Sequence, residues 1–414
     1  MKNTLIYVLI ALSVLHLSCS DDQVILSSQA SEPNAAKHLQ KPYVVMVSID
    51  GFRWDYPELH GAENIIRIGR EGIRSERMLS SYPTKTFPNH YSLVTGMRPG
   101  EHGLVSNEFY SKKWDKRYKI SDREAVEDGR WYGGVPLWSL AEAQGMRTAS
   151  CFWVGSEAEI AGFRPSYYLK YNKDKSSEER ISQVIDWLKM PEENRPHLIT
   201  LYFSMVDNAG HDFGPQAPET ATAVKEIDRV IGMLDEKLEA LSLPVHLILV
   251  SDHGMTEVNQ DAPVSLESLL TDGDFTITKS MPVMLYGGAK EENKTLTEQL
   301  NMQAGGRFFA YAKESLPDSL YPESHPHIGD IVLVPQPPFV FGEKRPSAAT
   351  HGYYPGIMDM GAYFSAKGPS ISSKEEQIPP FSNVHVFPLV SRLLGLEYSH
   401  EISGADSVLV PYVL

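Results

Sequence analysis

One stretch of the sequence decides how the rest of the chain must be arranged: Ser81-Tyr-Pro-Thr-Lys-Thr-Phe-Pro-Asn-His-Tyr-Ser-Leu-Val-Thr-Gly96. Pro88 and the apolar residues after it predict a short helix that ends at Gly96. Thr86 would then stand just before the helix N-terminus, where free N–H groups and the helix dipole favour negative charge. A threonine hydroxyl is a poor nucleophile unless a base or a metal ion ionises it. Taken alone, Thr86 is therefore more simply interpreted as a helix cap.

Three continuous apolar runs lead towards aspartates, and they predict the fold. Such runs are typical of strands buried on both faces of a parallel sheet. They alternate with helical segments, which predicts an α/β fold with a doubly wound, mostly parallel sheet and helices on both faces. The carboxyl ends of these strands face the crevice where ligands bind. The runs and their aspartates are 43–49 before Asp50, 197–204 before Asp207, and 244–250 before Asp252.

The N-terminus has the pattern of an export signal. Lys2 is followed by an apolar stretch, 5–17, which is too short to span a membrane, and then by Cys19. This pattern resembles a bacterial lipoprotein signal over residues 1–19, with a lipid anchor on Cys19 and a periplasmic or cell-surface location. The alternative is a plain cleaved signal peptide in which Cys19 is incidental.

The rest of the chain is expected to form a tether and one catalytic domain. Residues 20–41 are rich in Ser, Ala, Gln and Lys, which favours a flexible tether. Residues 42–414 form the predicted domain, and 256–345 form a smaller insert or cap within it. Residues 108–134 are aromatic but without periodicity, and they are interpreted as a loop over the site.

The composition limits the function. The formal net charge is −15 and the sequence pI is about 5.4. This acidic balance argues against a general nucleic-acid binder, which needs basic surface. The chain has only two cysteines, Cys19 and Cys151. If Cys19 carries lipid, no disulfide framework is possible.

Three histidines can join the three aspartates at the predicted sheet edge. His211 is four residues after Asp207, His253 follows Asp252, and His351 stands before a glycine. Each taken alone has an ordinary interpretation: a helix cap, a local ion pair, a turn or a surface histidine. Together, carboxylates and neutral imidazoles suit Zn²⁺ or Mn²⁺. Six ligands and the Thr86 oxygen are enough for two four-coordinate ions.

Five segments that contain these aspartates, these histidines and Thr86 together resemble the nucleotide pyrophosphatase/phosphodiesterase family, within the alkaline phosphatase superfamily. The resemblance extends from about Tyr43 to the C-terminus. The animal members carry many cysteines and extra domains that this chain lacks. The segments that carry it are Val47-Ser-Ile-Asp50-Gly-Phe-Arg, Pro83-Thr-Lys-Thr86-Phe-Pro-Asn-His, Asp207-Asn-Ala-Gly-His211-Asp-Phe-Gly-Pro, Ser251-Asp252-His253-Gly-Met and Thr350-His351-Gly-Tyr.

The resemblance implies two zinc ions and a threonine nucleophile. It implies that Thr86 forms a phospho-threonine intermediate and that nucleoside 5′-monophosphate is released. Asn107 matches the residue that, with the Thr86 N–H, holds a phosphate oxygen. One zinc would be held by Asp207, His211 and His351, and the other by Asp50, Asp252, His253 and Thr86.

A nucleobase site is also implied by the resemblance. Phe87 and Tyr171 match the pair that stacks the base, and Tyr202 lines the same pocket. Glu157 stands where nucleotide-cleaving members often carry aspartate, so the details of base recognition differ.

Three alternatives keep the same site: a phosphate monoesterase, a phosphonate hydrolase, or a phosphodiesterase acting on lipid headgroups. Monoesterases tend to add Arg, Lys or a third metal, and no such group is evident in the sequence. A binding lipoprotein with a dead site would have gaps among the metal ligands, and there are none. The expected function is therefore an exported, zinc-dependent phosphodiesterase and nucleotide pyrophosphatase.

Overall fold

The structure is a computed structural model that describes residues 24–26, 32–270, 274–373 and 377–414. Its strands are β1 (Ile25–Leu26), β2 (Tyr43–Ile49), β3 (Ile73–Arg74), β4 (Met78–Leu79), β5 (Glu108–Ser111), β6 (Lys116–Lys119), β7 (Thr148–Cys151), β8 (Tyr167–Leu169), β9 (Leu198–Phe203), β10 (Val245–Val250), β11 (Thr256–Glu257), β12 (Thr276–Thr278), β13 (Val283–Tyr286), β14 (Phe308–Ala312), β15 (Ile331–Pro335), β16 (Ala349–Thr350), β17 (Phe364–Lys367) and β18 (Phe381–Ser382). Its α-helices are α1 (Tyr56–His60), α2 (Glu63–Glu71), α3 (Thr86–Thr95), α4 (Pro99–His102), α5 (Arg123–Glu127), α6 (Leu137–Ala143), α7 (Ser177–Leu188), α8 (Met205–Phe213), α9 (Pro218–Glu239), α10 (Leu266–Leu269), α11 (Lys290–Ala304), α12 (Val386–Leu394) and α13 (Asp406–Leu409).

The central sheet has the strand order β1-β8-β7-β9-β2-β10-β17-β3. The run from β8 through β10 is parallel throughout. The outer strands β1, β17 and β3 pair antiparallel with their neighbours. The predicted doubly wound, mostly parallel sheet is therefore confirmed.

Helices cover both faces of this sheet because its central strands are apolar on both sides. In β2, Val44 and Met46 join one core cluster, while Val45 and Val47 join another. The first cluster includes residues of α3, α6 and α12. The second includes residues of α2, α7 and α9. A strand buried on both faces reads as a continuous apolar run, which is why the sequence revealed it.

Helix α3 begins at Thr86, one residue earlier than the sequence predicts. Lys85 has extended backbone and occupies the N-cap position. Thr86 is therefore the first helical residue, and its own N–H is one of the unpaired donors of the first turn. The helix ends as predicted at Gly96, which has a left-handed φ of 67°.

A second, four-stranded antiparallel sheet lies within the segment predicted as an insert. Its order is β12-β13-β15-β14. Helix α11 packs beside this sheet and was not predicted. Its buried positions are Asn293, Thr297, Leu300 and Ala304. Two of these four are polar, so the apolar period that marks a helix is weak here.

The interpretation of residues 108–134 as a loop was wrong. Strands β5 and β6 form an antiparallel hairpin, and α5 follows it. The rings of Phe109 and Tyr118 stack across the hairpin with centroids 4.9 Å apart, and both residues are fully buried. The aromatic residues of this segment therefore form part of a core.

Part of the predicted tether packs against the fold. Strand β1 pairs with β8 at the edge of the central sheet. Asn34 is buried, and its side chain donates hydrogen bonds to two backbone carbonyls, those of Glu192 and Arg195. Residues 32–41 are therefore not a free linker.

The predicted signal peptide and Cys19 lie outside the described residues. Within the described ranges, no helix combines the length and apolar character needed to cross a bilayer.

Asp228 of α9 caps the start of α2. The N-cap residue of α2 itself makes no side-chain capping hydrogen bond. The buried Asp228 carboxylate accepts hydrogen bonds from the backbone N–H groups of Asn64 and Ile65, at 3.2 and 2.8 Å. These are free donors of the first helical turn. A carboxylate here both satisfies the donors and complements the helix dipole.

We predict that Asp228→Ala lowers the free energy of unfolding by about 2–3 kcal/mol, since buried donors lose a charged acceptor. Chemical denaturation would measure this loss. Glu236→Ala, an exposed change on the same helix, is the matched control. A loss equal to that of the control would show that Asp228 does not hold α2.

Candidate metal centre and substrate pocket

The carboxyl ends of three adjacent parallel strands bring the predicted acids together. Asp50 directly follows β2, and Asp252 lies two residues beyond β10. Asp207 was expected at the end of β9, but it lies in the first turn of α8. His211 is one turn further along α8, so both side chains lie on the same face of the helix.

Two groups of metal-ligating atoms result, and they share Asp207. In the first group, Asp207 Oδ1 lies 3.5 Å from His211 Nε2 and 3.8 Å from His351 Nε2. In the second group, ligand atoms of Asp50, Asp207 and His253 all lie within 4.8 Å of one another.

Asp252 joins the second group through His253. His253 Nε2 lies 3.4 Å from Asp50 Oδ1 and 2.9 Å from Asp252 Oδ2. The six predicted Asp and His residues therefore lie in one cluster.

All three histidines present the same nitrogen to the cluster. Each Nδ1 faces a backbone carbonyl. The Nδ1 of His211 lies 2.8 Å from the carbonyl oxygen of Ala349, and the Nδ1 of His253 lies 2.9 Å from the carbonyl oxygen of Gly254. His351 Nδ1 faces the Thr84 carbonyl at 2.7 Å. A carbonyl only accepts, so Nδ1 carries the proton and Nε2 of the neutral ring offers a lone pair. This is the usual arrangement of histidines that bind a metal.

The carboxylates leave acceptor atoms unsatisfied in the protein interior. Asp50 Oδ1, Asp207 Oδ1 and Asp252 Oδ2 are buried and have no hydrogen-bond donor in the described structure. Unpaired buried carboxylate oxygens are costly unless a cation neutralises them. These oxygens and the imidazole lone pairs therefore fit divalent metal ions well.

The pKa directions agree with this need for positive charge. Burial, together with the carboxylates of Asp252 and Asp207, raises the pKa of Asp50 well above its usual value. Burial, together with the neighbouring basic groups of His253, Lys85 and His211, holds the pKa of His351 well below the usual value, which keeps the ring neutral. Neutral imidazole and ionised carboxylate are the forms that bind metal.

Thr86 lies beside this cluster. Its Oγ1 is 3.4 Å from His253 Nε2. Asn107 lies close by, because its Oδ1 accepts a hydrogen bond of 3.0 Å from the N–H of Phe87. That bond occupies the amide oxygen, so the Asn107 Nδ2 group remains as a donor.

Two buried residues beside Thr86, His90 and Lys85, were not identified from the sequence as part of the site. His90 lies one helical turn after Thr86, with Nδ1 2.9 Å from the Thr86 carbonyl and Nε2 2.7 Å from Ser48 Oγ. Its spacing of four residues from Thr86 was the available signal. Lys85 directly precedes Thr86, and burial lowers the pKa of its ammonium to about 8 although Asp207 opposes the shift.

A cavity of about 270 Å³ extends from the cluster, and all three residues expected to hold a base line it. These are Phe87, Tyr171 and Tyr202. Tyr171 is 44 % exposed and contacts Tyr202 edge-on, with ring centroids 6.2 Å apart. Tyr168, three residues before Tyr171, is buried in β8.

Tyr202 has a second contact that the sequence did not reveal. Its hydroxyl donates a hydrogen bond of 2.5 Å to Asp50 Oδ2. Burial and the Asp50 charge raise the pKa of Tyr202 well above its usual value, so the hydroxyl keeps its proton. Tyr202 therefore joins the pocket wall to the metal-ligating cluster.

Comparison with known proteins identifies the family. The model of the family described as "Type I phosphodiesterase / nucleotide pyrophosphatase" matches residues 44–354. A venom phosphodiesterase of Macrovipera lebetinus is 33 % identical over 394 residues, covering 91 % of this chain and 45 % of that protein. Ectonucleotide pyrophosphatase/phosphodiesterase family member 1 of Mus musculus is 32 % identical over 387 residues, covering 88 % of this chain and 42 % of the relative.

Solved structures agree with this match. An inactive variant of murine ectonucleotide pyrophosphatase/phosphodiesterase 5, in complex with AMP, aligns with a TM-score of 0.84 at 25 % identity. The alignment covers 90 % of this chain and 100 % of that one. The chain belongs to the type I phosphodiesterase / nucleotide pyrophosphatase family. It spans less than half the length of the curated relatives it matches.

We predict that Tyr202→Phe weakens metal binding about 10- to 100-fold, which is the usual cost of losing a hydrogen bond to a metal ligand. Competition with a chelator would measure the change. Tyr168→Phe is the control, because Tyr168 also lies in a strand of the central sheet but makes no hydrogen bond to the cluster in the described structure. An unchanged metal affinity in Tyr202→Phe would show that the Asp50 contact is not important.

Proposed function

We propose that this protein is a zinc-dependent phosphodiesterase and nucleotide pyrophosphatase that releases nucleoside 5′-monophosphate. One observation carries the proposal: Thr86 Oγ1 lies beside a cluster of unsatisfied carboxylate oxygens and imidazole Nε2 atoms, at the end of an aromatic-lined cavity. The names of the relatives, and the AMP bound to the murine neighbour, support the same substrate class.

The cluster would hold two zinc ions. When bound, such ions lower the pKa of a nearby hydroxyl and neutralise charge on phosphate oxygens. The ligands would be Asp207, His211 and His351 for one ion, and Asp50, Asp252, His253 and Thr86 for the other.

The residues of the chain would carry out the reaction in two displacements. Thr86 Oγ would attack phosphorus in line with the leaving group; the new P–O bond forms a phospho-threonine as the bond to the leaving oxygen breaks. The Thr86 N–H, at the first turn of α3, and the Asn107 amide would donate hydrogen bonds to a non-bridging oxygen. Water would then attack phosphorus and release the 5′-monophosphate and free Thr86.

The aromatic pocket favours a nucleotide over a lipid headgroup. Phe87 directly follows Thr86 and lines the same cavity as Tyr171. A base held between these rings would place its 5′-phosphate at Thr86. The alternatives, a monoesterase, a phosphonate hydrolase or a lipid-headgroup phosphodiesterase, would not need both rings.

The proposed function predicts both the metal content and the effect of removing the Thr86 hydroxyl. Active protein should contain two zinc ions per chain by elemental analysis. Thr86→Ala should keep both ions, since the Asp and His ligands remain, but should lose at least 1,000-fold in kcat on nucleotides, on the order of the loss seen when a catalytic nucleophile is removed.

Full activity of Thr86→Ala would refute the assigned nucleophile, as would phosphate trapped on another residue. Protein that is fully active with one ion or none would refute the two-zinc site. A panel of nucleotides, simple diesters and monoesters, assayed with the metal-loaded protein, separates the proposed function from its alternatives.

The proposed function also predicts that a nucleobase stacks on Tyr171. Tyr171→Ala should lower kcat/KM on a thymidine 5′-phosphodiester about 10- to 100-fold, because stacking of a base on an aromatic ring contributes roughly 1–3 kcal/mol. An aryl phosphodiester without a nucleoside is the control and should change much less. Equal losses on both substrates would mean that Tyr171 supports the fold and not the base.

We also propose that the protein is exported and carries a lipid on Cys19 after removal of residues 1–18. The pattern of residues 1–19 is the basis for this proposal. Mass spectrometry of the native N-terminus should find a lipid-modified cysteine. An unmodified chain that starts elsewhere would exclude the anchor, and an uncleaved chain would also exclude the signal peptide.

A further inference from the structure

A pair of charged residues lies in the wall of the nucleotide pocket away from the metal-ligating cluster. Arg123 and Glu157 line the same cavity as Thr86, Phe87 and Tyr171. The neighbouring side chains in that part of the wall are apolar and cannot distinguish one base from another by hydrogen bonding. They are Ile120, Val126, Phe152 and Val154.

The Glu157 carboxylate is already engaged by the protein. Its Oε1 accepts a hydrogen bond of 3.2 Å from the N–H of Tyr171, and its Oε2 accepts one from Arg123 Nη2. Its side chain is only 7 % exposed. Glu157 therefore fixes both Tyr171 and Arg123, and its charge is compensated by the guanidinium.

The Arg123 guanidinium retains donors that face no protein acceptor. Its hydrogen bonds within the described residues go to Glu127 and Glu157, and both start from Nη2. Its side chain is 45 % exposed. Arginine has five N–H donors and no acceptor, so Nε and Nη1 are left to offer hydrogen bonds to a ligand.

We propose that Arg123 favours bases that carry a carbonyl oxygen at the ring position where adenine and cytosine carry an amino group, namely O6 of guanine and O4 of uracil or thymine. This inference rests on the proposed function, because the base must lie between Phe87 and Tyr171. A guanidinium pairs well with the O6 and N7 acceptors of guanine. Adenine offers an amino donor in place of O6, and two donors repel.

The opposite preference would require a free carboxylate in the pocket. Glu157 could then accept from the amino group of adenine or cytosine. Its engagement by Tyr171 and Arg123 argues against that preference, because both carboxylate oxygens already accept a hydrogen bond and the guanidinium compensates the charge.

The experiment compares kcat/KM of the zinc-loaded protein on GTP against ATP, and on UTP against CTP. Each pair shares its ring system and its leaving group. We expect GTP and UTP to be favoured about tenfold or more, within the discrimination that a good arginine–base contact gives. As a readout independent of turnover, Thr86→Ala should bind GMP more tightly than AMP in calorimetry.

Arg123→Met removes the donors and frees the Glu157 carboxylate. Its GTP/ATP and UTP/CTP ratios in kcat/KM should fall to about one or below. Lys170→Met is the matched control. Lys170 belongs to the same ion network through Glu127, at 2.7 Å, but does not line the cavity, so this variant should keep the wild-type ratios.

Ratios near one in the wild type, or a preference for ATP and CTP, would overturn the proposal. Ratios that Arg123→Met leaves unchanged would do the same. If Arg123→Met does not fold, equal affinity of Thr86→Ala for GMP and AMP would overturn it instead. A protein that cleaves bis(p-nitrophenyl) phosphate but no nucleotide would refute the proposed nucleotide specificity itself, an outcome distinct from cleavage of nucleotides without base preference.

Discussion

The site depends on one electrostatic constraint: three carboxylates converge at a buried sheet edge where water cannot screen them. Asp50, Asp207 and Asp252 each leave an oxygen unsatisfied, and burial together with the neighbouring carboxylates raises the pKa of Asp50. Such a cluster is stable only with compensating positive charge. The surrounding histidines hold their protons on Nδ1 and face the carboxylates with lone pairs. Divalent ions would satisfy both groups at once, and Thr86 lies beside the same cluster.

The parallel sheet makes this convergence possible and also made it predictable. Strands β2, β9 and β10 are buried on both faces, so their sequences are uninterrupted apolar runs. Asp50 and Asp252 could be placed at the sheet edge from those runs. His351 could be grouped with them only by its residue type and by the family resemblance, because no local spacing connects it to α8. Asp207 lies on a helix because the chain enters α8 at Ser204, which occupies the N-cap position but makes no side-chain capping hydrogen bond.

Other buried elements could not be predicted because their sequences lack the apolar periodicity that usually marks a buried strand or helix. Residues 108–134 lack periodicity, yet stacking of Phe109 and Tyr118 makes their hairpin part of the core. Helix α11 buries Asn293 and Thr297, so its inner face is only partly apolar. The Tyr202–Asp50 and Arg123–Glu157 contacts join residues 152 and 34 positions apart. Contacts of that kind depend on the tertiary structure, and local patterns carry no signal for them.

The two contacts of Tyr202 connect the substrate pocket to the metal-ligating cluster. Its ring lines the pocket, while its hydroxyl orients Asp50. A ligand that packs against the ring restricts the same side chain that holds the carboxylate. Ligand affinity and metal affinity are therefore thermodynamically linked, and linkage is reciprocal: the factor by which metal tightens ligand binding equals the factor by which the ligand tightens metal binding. A bound ligand would then raise the affinity of the site for its metal, so that the site stays occupied at lower concentrations of the free ion.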